Sequence, residues 1–105
     1  MAIEMRDFTI QSGQMAAFIE AWRAGVVPMR QRHGFRIAGA WTVASEDRFV
    51  WILEAEGTRA EFEARDARYY DSQERAGIDP DPRQWIEAHS SAFLDPVTVD
   101  SAPSR

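Results

Sequence analysis

The 105-residue sequence contains no cysteine. Disulfide bonds, thiolate metal sites, iron–sulfur clusters and a cysteine nucleophile are therefore excluded. No window approaches the run of about 20 apolar residues that crosses a bilayer, and the N-terminal residues show no apolar signal core. We accordingly expect a cytoplasmic protein with no membrane partner.

Positive charge is scarce as well. Seventeen acidic residues outnumber twelve basic ones, which gives a net charge of −5 and a pI near 4.9. Such a chain lacks the clustered cationic surface that neutralises phosphates, so we expect no nucleic-acid partner. Phosphate-binding loops, dinucleotide-binding glycine patterns and nucleophile elbows are also missing, and the two histidines lack metal-site spacing. We expect neither a metal nor a nucleotide cofactor, and keep haem ligation by His33 or His89 as a minor alternative.

The first third of the chain predicts a strand followed by an amphipathic helix. Residues 2–10 alternate, with Ile3, Met5, Asp7 and Thr9 on one face and Glu4, Arg6, Phe8 and Ile10 on the other. Ser12-Gly13-Gln14 forms a turn, and the helical stripe after it is Met15, Phe18, Ile19, Trp22, Val26 and Met29. Pro28 predicts a kink near residues 25–27, and Gly34 is placed to end the helix, with His33 in its last turn as a cap.

The remainder predicts a hairpin, a second helix and a last strand. Residues 35–44 and 49–56 form two strands joined by the polar turn Ser45-Glu46-Asp47-Arg48. Thr58 and Glu61 form a capping box that opens a helix to about Gly77, in which Asp71 and Arg75 have the spacing of an ion pair. The predicted inward stripe of this helix is Phe62, Asp66, Tyr69 and Gln73. A short helical turn around Trp85 precedes a strand over residues 90–99.

This order of elements predicts the α+β ferredoxin-like βαββαβ fold, a four-stranded antiparallel sheet with two helices on one face. Residues 1–100 would form one domain, with residues 101–105 as a flexible C-terminal tail. The run Phe49-Val50-Trp51-Ile52-Leu53 is apolar on both faces, whereas two helices cover only one face. We therefore expect a homodimer in which the sheets of two copies pack together.

Two sequence motifs carry a family resemblance. The first is Glu4-Met5-Arg6-Asp7-Phe8, followed by the helix with Phe18, Trp22 and Pro28 and by Gly34-Phe35. The second is Tyr69-Tyr70-Asp71-Ser72-Gln73-Glu74-Arg75 with the loop Asp79-Pro80-Asp81-Pro82. Over residues 3–87 the chain resembles the NIPSNAP-type proteins of the dimeric α+β barrel superfamily. The resemblance implies the same fold and dimer, in a superfamily that includes oxygenases, isomerases, cyclases and haem-binding members.

The candidate site lies between the sheet and the helices. A buried carboxylate needs an arginine partner or an altered pKa, so Asp7 is either ion-paired or a general base. Arg6 points to the opposite face, so the two side chains cannot both face the pocket. The predicted catalytic residues are Asp7, Tyr69 and Tyr70, and the predicted substrate-binding residues are Arg6, Trp41, Trp51, Asp66 and His89.

Two functions are consistent with these residues. The first is a small-pocket enzyme without a cofactor that acts on an aromatic or polyketide-like molecule by proton transfer, cyclisation, isomerisation or oxygenation, with a tyrosine hydroxyl donating to the reacting oxygen. The second is a non-catalytic dimer that binds a hydrophobic ligand or a protein, in which Asp7 is paired and the aromatic residues are packing.

Overall fold

The computed structural model describes residues 1–99 and consists of one four-stranded antiparallel sheet with helices on one face. The strands are β1 (Ala2–Ile10), β2 (Arg36–Val43), β3 (Arg48–Ala55) and β4 (Ile86–Phe93), in the order β2-β3-β1-β4. The helices are α1 (Met15–Ala21), α2 (Val27–Arg32), α3 (Arg59–Asp71) and α4 (Gln73–Ala76). The predicted ferredoxin-like fold is confirmed. The predicted division into one domain stays a prediction, and the predicted tail at residues 101–105 lies outside the described residues.

The first helix is interrupted as its proline predicts. A π-helical turn at Trp22–Val26 separates α1 from α2, and Pro28 lies in the first turn of α2, where its missing N–H costs little. Gly34 follows with φ +89° and ends the helix. The predicted kink and the predicted stop are both confirmed.

The second helix begins as predicted but ends early. The Thr58 hydroxyl accepts from the Glu61 N–H, and the Glu61 carboxylate accepts from the Thr58 N–H, which completes the capping box. Ser72 then adopts an extended conformation and caps α4, so the helix breaks after Asp71. The Asp71–Arg75 pair expected from helical spacing is not found among the ion pairs of residues 1–99, because the break changes that spacing.

The core lies between the helices and one face of the sheet, called here the inner face. β3 shows the alternation plainly, since Phe49, Trp51 and Leu53 are buried and the residues between them are partly exposed. Edge-to-face aromatic pairs connect the layers, with Trp22 and Trp51 ring centroids 5.4 Å apart. From β1, Glu4, Arg6, Phe8 and Ile10 share this inner face, because Arg6 lies opposite Trp51.

The predicted inward direction of Trp41 and the predicted bounds of the last strand are both wrong. Regular alternation places Ile37 and Trp41 on one face, but a β-bulge between Ile37 and Gly39 shifts the register by one residue. Ile37 therefore pairs with Leu53 on the inner face, whereas Trp41 pairs with Val50 on the outer face. The last strand occupies Ile86–Phe93 and not residues 90–99, since backbone pairing with β1 begins at Ile86.

None of the helices within residues 1–99 combines the length and the apolar character needed to traverse a lipid bilayer.

Candidate functional site

A cavity of about 570 Å³ lies between the inner face of the sheet and the helices. This volume falls in the range of about 300–1,000 Å³ that is usual for small-molecule sites. Its buried walls are Glu4, Phe18, Trp22, Val26, Arg30, Trp51, Phe62, Tyr69, Arg75 and Pro82, and its exposed mouth includes Glu63, Tyr70, Arg83, His89, Ser90 and Ser91. The cavity therefore combines aromatic walls with several charged groups.

Unpartnered hydrogen-bond donors are concentrated at this cavity. Within residues 1–99, the buried side-chain polar atoms without a hydrogen-bond partner are Trp22 Nε1, Arg30 Nε, Trp51 Nε1, Tyr69 Oη, Arg75 Nε and Arg75 Nη1. All five residues line the cavity. All six atoms can donate a hydrogen bond, and only the tyrosine hydroxyl can also accept one. Because buried polar groups are normally hydrogen-bonded, this set favours a ligand that presents acceptors.

Arg30 lies at the floor of the cavity and is completely buried. Its Nη1 donates to Asp66 Oδ1 at 2.6 Å, and its guanidinium lies 3.8 Å from the centre of the Tyr69 ring. A cation over an aromatic face is stabilised by the negative face of the ring, and more so away from water. Arg30 thereby connects α2 to α3 across the floor.

Arg6 extends the same network from β1. Its Nε donates to Glu4 Oε1 at 2.6 Å, and its Nη2 lies 3.0 Å from Asp66 Oδ1. Its Nη1 donates to the Tyr70 hydroxyl at 3.2 Å. Asp66 therefore forms ion pairs with both Arg6 and Arg30. Glu4 and Asp66 are both neutralised by guanidinium groups.

A second arginine cluster forms where the chain leaves α4. Arg75 is only 3% exposed, and its Nη2 donates to Asp81 Oδ1 at 3.1 Å. Arg83 donates to both oxygens of Asp81. Burial raises the pKa of Asp81, but hydrogen bonds from Arg83 and Arg75 outweigh it and lower the pKa well below the usual aspartate value. Asp81 is therefore a carboxylate shared by two cations.

The two tyrosines of α3 differ in environment. Tyr69 is fully buried, and burial raises the pKa of its phenol despite the nearby cations Arg30 and Arg75. Its hydroxyl therefore stays protonated near neutral pH and can donate. Tyr70 is 39% exposed at the mouth, with the guanidinium groups of Arg30, Arg75 and Arg83 within 6 Å of its ring centre.

Six of the eight side chains predicted for the site line the cavity: Arg6, Trp51, Asp66, Tyr69, Tyr70 and His89. The predicted pocket positions of Asp7 and Trp41 are wrong. Asp7 points to the outer face, where its Oδ2 lies 2.5 Å from Arg48 Nη2, because β1 alternates and Arg6 takes the inner position. Trp41 is 57% exposed on the outer face, since the bulge in β2 reverses its direction.

Sequence reasoning missed five charged residues of the cavity: Glu4, Arg30, Glu63, Arg75 and Arg83. Glu4, Arg30 and Arg75 are buried, and charged side chains are normally exposed, so nothing in their residue type indicated burial. For Glu4 a signal existed, because it shares a strand face with Arg6 and Phe8. The position of Gln73 was also wrong, since this residue is exposed after the break at Ser72.

No group of three histidine or acidic side chains within residues 1–99 comes together as a possible metal site. The expectation of a cofactor-free protein stays a prediction.

Comparison with known families agrees with the fold and the motifs. The NIPSNAP family profile matches residues 3–99. The chain belongs to the NIPSNAP family. No curated protein matches it.

Several solved structures share this NIPSNAP fold at low sequence identity. An uncharacterized NIPSNAP domain protein from Burkholderia xenovorans superposes with a TM-score of 0.81 at 20% identity, covering 96% of this chain and 99% of that one. A NIPSNAP family protein of unknown function from Agrobacterium tumefaciens gives 0.83 at 17% identity, with 95% and 91% covered. A putative antibiotic biosynthesis monooxygenase from Nitrosomonas europaea gives 0.66 at 16% identity, with 93% and 100% covered. At these identities the likeness establishes the fold alone.

Proposed function

We propose that this NIPSNAP protein binds a small aromatic or polyketide-like molecule in the cavity and acts on it without a cofactor, through an enolate or phenolate. Proton transfer, isomerisation, cyclisation and oxygenation all begin from such an anion. The observation that carries the proposal is the set of buried donors on residues that line an aromatic cavity.

The walls and the donors have separate roles in this proposal. Trp22, Trp51 and Phe62 provide flat apolar surfaces for the rings of the ligand. The Arg30 guanidinium and the indole N–H groups of Trp22 and Trp51 would donate to the oxygen on which negative charge develops, and the Tyr69 hydroxyl and Arg75 would hold another polar group of the ligand. Donors that are fixed in a site shielded from water stabilise such charge strongly, typically by a factor of about 10² to 10³ for one hydrogen bond.

Asp7 cannot accept a proton from a ligand in the cavity, because its side chain lies on the other face of the sheet. Glu4 and Asp66 already accept hydrogen bonds from arginines, so their oxygens are occupied within the protein. We assign the acceptor role to His89, which is exposed at the mouth on β4 and lies opposite Phe8. Imidazole is the side chain best suited to exchange protons near neutral pH.

The structural neighbour described as an antibiotic biosynthesis monooxygenase motivates a test for oxygenation. This is an analogy at the level of the fold, and a fold alone does not define a reaction. It does favour a measurement in which oxygen uptake and proton exchange are followed together.

The alternative is a binding module without catalysis, and one observation favours it. Two of the cavity carboxylates, Glu4 and Asp66, are paired with arginines, and so is Asp7, the base predicted from the sequence. In this alternative the same cavity holds a ligand, but no group removes a proton from it.

Proton exchange in D₂O distinguishes the two functions. A panel of phenols, naphthols and cyclic 1,3-diketones is incubated with the protein. Deuterium exchange at acidic C–H positions is followed by NMR, and oxygen consumption is followed with an oxygen electrode. If the protein is an enzyme, we expect accelerated deuterium exchange or oxygen uptake with at least one compound that binds. The rate should fall in Tyr69→Phe and in His89→Ala. It should be unchanged in Arg59→Gln, because Arg59 and its partner Asp95 lie outside the cavity. Binding without either signal favours the module.

We also propose that the protein is a homodimer in which the outer faces of two sheets meet. The outer face presents Ile3, Met5, Trp41, Val50 and Ile52, all partly or largely exposed. A second copy would bury this apolar surface, which soluble monomers seldom expose. The cytoplasmic location expected from the cysteine-free composition stays a prediction.

A further inference from the structure

The ion pairs around the cavity leave one positive charge unbalanced. In the first network, Arg6 and Arg30 face Glu4 and Asp66, so two cations meet two carboxylates. In the second network, Arg75 and Arg83 share the single carboxylate of Asp81. The surplus cation therefore belongs to the second network.

Arg75 is the buried member of that network. It is 3% exposed, whereas the side chain of Arg83 is 53% exposed and can be balanced by solvent and counterions. Arg75 also keeps two unpartnered nitrogens, Nε and Nη1. A buried guanidinium with only a shared carboxylate is poorly compensated, and an added anion would stabilise it.

The neighbours of Arg75 agree with an anion at this place. The Tyr69 ring lies 5.9 Å from the Arg75 guanidinium carbon, and its buried hydroxyl has no partner within residues 1–99. Glu63 also lines the cavity, but it is exposed at the mouth and makes no ion pair with a described residue. The negative groups near Arg75 are thus either shared or solvated.

We infer that the cavity ligand is an aromatic carboxylate, whose carboxylate group is received by Arg75 and the Tyr69 hydroxyl while its rings lie against Trp22 and Trp51. This inference rests on the proposed function and narrows its substrate class. A monoanion matches the single surplus charge, and hydrogen bonds between guanidinium and carboxylate are strengthened by both charges. The aromatic walls would bind the rings of the ligand, and Arg75 would bind its carboxylate.

Two ligands with the same rings test the head group directly. The affinities of 2-naphthoate and 2-naphthamide for the full chain are measured by isothermal titration calorimetry. We expect 2-naphthoate to bind at least about tenfold more tightly, because a charged hydrogen bond replaces a neutral one. In Arg75→Gln the preference should vanish while 2-naphthamide still binds as before. Arg59→Gln is the matched control, in which both affinities should be unchanged.

Each other outcome has a defined meaning. If 2-naphthamide binds as well as 2-naphthoate, the carboxylate inference is overturned and the small-molecule cavity stands. If neither ligand binds, the cavity function fails together with the inference. If Arg59→Gln weakens 2-naphthoate as much as Arg75→Gln does, the charge is recognised elsewhere and the inference is overturned. If circular dichroism shows that Arg75→Gln does not fold, the test uses the wild type and Arg75→Lys. A preference for 2-naphthoate over 2-naphthamide in both proteins supports the inference, and its absence in the wild type overturns it.

Discussion

The guanidinium carbon of Arg30 lies 3.8 Å from the centre of the Tyr69 ring, and neither side chain is exposed to solvent. This contact joins α2, which carries Arg30, to α3, which carries Tyr69. Asp66, one turn before Tyr69 on α3, supplies the carboxylate that neutralises Arg30. The floor of the cavity is therefore a charged group enclosed by aromatic residues, and its removal affects stability and binding together.

Replacing Arg30 with methionine should destabilise the protein by about 3 kcal/mol, because it removes one partner of a buried ion pair. Methionine keeps most of the side-chain volume, so the loss reflects charge more than packing. The change in the free energy of unfolding is measured by urea denaturation. In the control Arg59→Met, which removes an exposed pair with Asp95, the loss should stay below about 1 kcal/mol. Equal losses in the two variants would contradict the role given to Arg30.

The homodimer is tested on the outer face. Val50→Glu should raise the dimer dissociation constant by about a hundredfold, because it places an unpaired charge in an apolar interface. Light scattering coupled to size exclusion gives the mass. The control Ala67→Glu, at an exposed position on α3, should leave the mass unchanged, whereas Trp51→Glu should unfold the chain because Trp51 is buried inside. A wild-type monomer at micromolar concentration would refute the interface.

Asp7 should be dispensable for ligand binding. Asp7→Asn is expected to change the affinity for 2-naphthoate by less than about twofold, since Asp7 is paired with Arg48 on the other face. Tyr69→Phe, which removes a donor from the cavity, should weaken the same affinity by about tenfold. Calorimetry on both variants checks this. A loss in Asp7→Asn as large as in Tyr69→Phe would return Asp7 to the site.

Asp81 gives a pH dependence with a definite sign. Its folded pKa lies below the ordinary value of 3.8, so its contribution is present above that value and lost as the pH falls through the folded pKa. We expect the difference in urea midpoint between wild type and Asp81→Asn to be constant from neutral pH to about 4.5. It should narrow only at lower pH. A difference that already shrinks between pH 7 and pH 5 would show that another group is responsible.

The fold followed from local signals in the sequence. Pro28, Gly34 and the Thr58–Glu61 capping box each act within a few residues, and the structure contains the break, the stop and the cap that they predict. The alternation of β1 places Arg6 and Asp7 on opposite faces, as the sequence predicts. These features depend on neighbouring residues, which a sequence shows directly.

The site was harder to predict because two local irregularities redirect side chains. The bulge in β2 turned Trp41 outward, and the break at Ser72 replaced the expected Asp71–Arg75 pair with a buried bond from Arg75 to Asp81. The bond from Arg75 to Asp81 spans only six residues, but regular helical spacing does not predict it. Burial of Arg30 has a different origin, since its partners Asp66 and Tyr69 lie more than thirty residues away along the chain.

The π-helical turn at Trp22–Val26 sets the direction in which Arg30 points. Such a turn holds about one residue more than an α-helical turn, so it takes up an additional residue without changing the rotational phase of α2. In a regular α-helix the same residue would rotate everything after it by about 100°, and Arg30 would leave the interior. The buried charge at the cavity floor therefore depends on a local widening of the helix backbone as well as on the arginine itself.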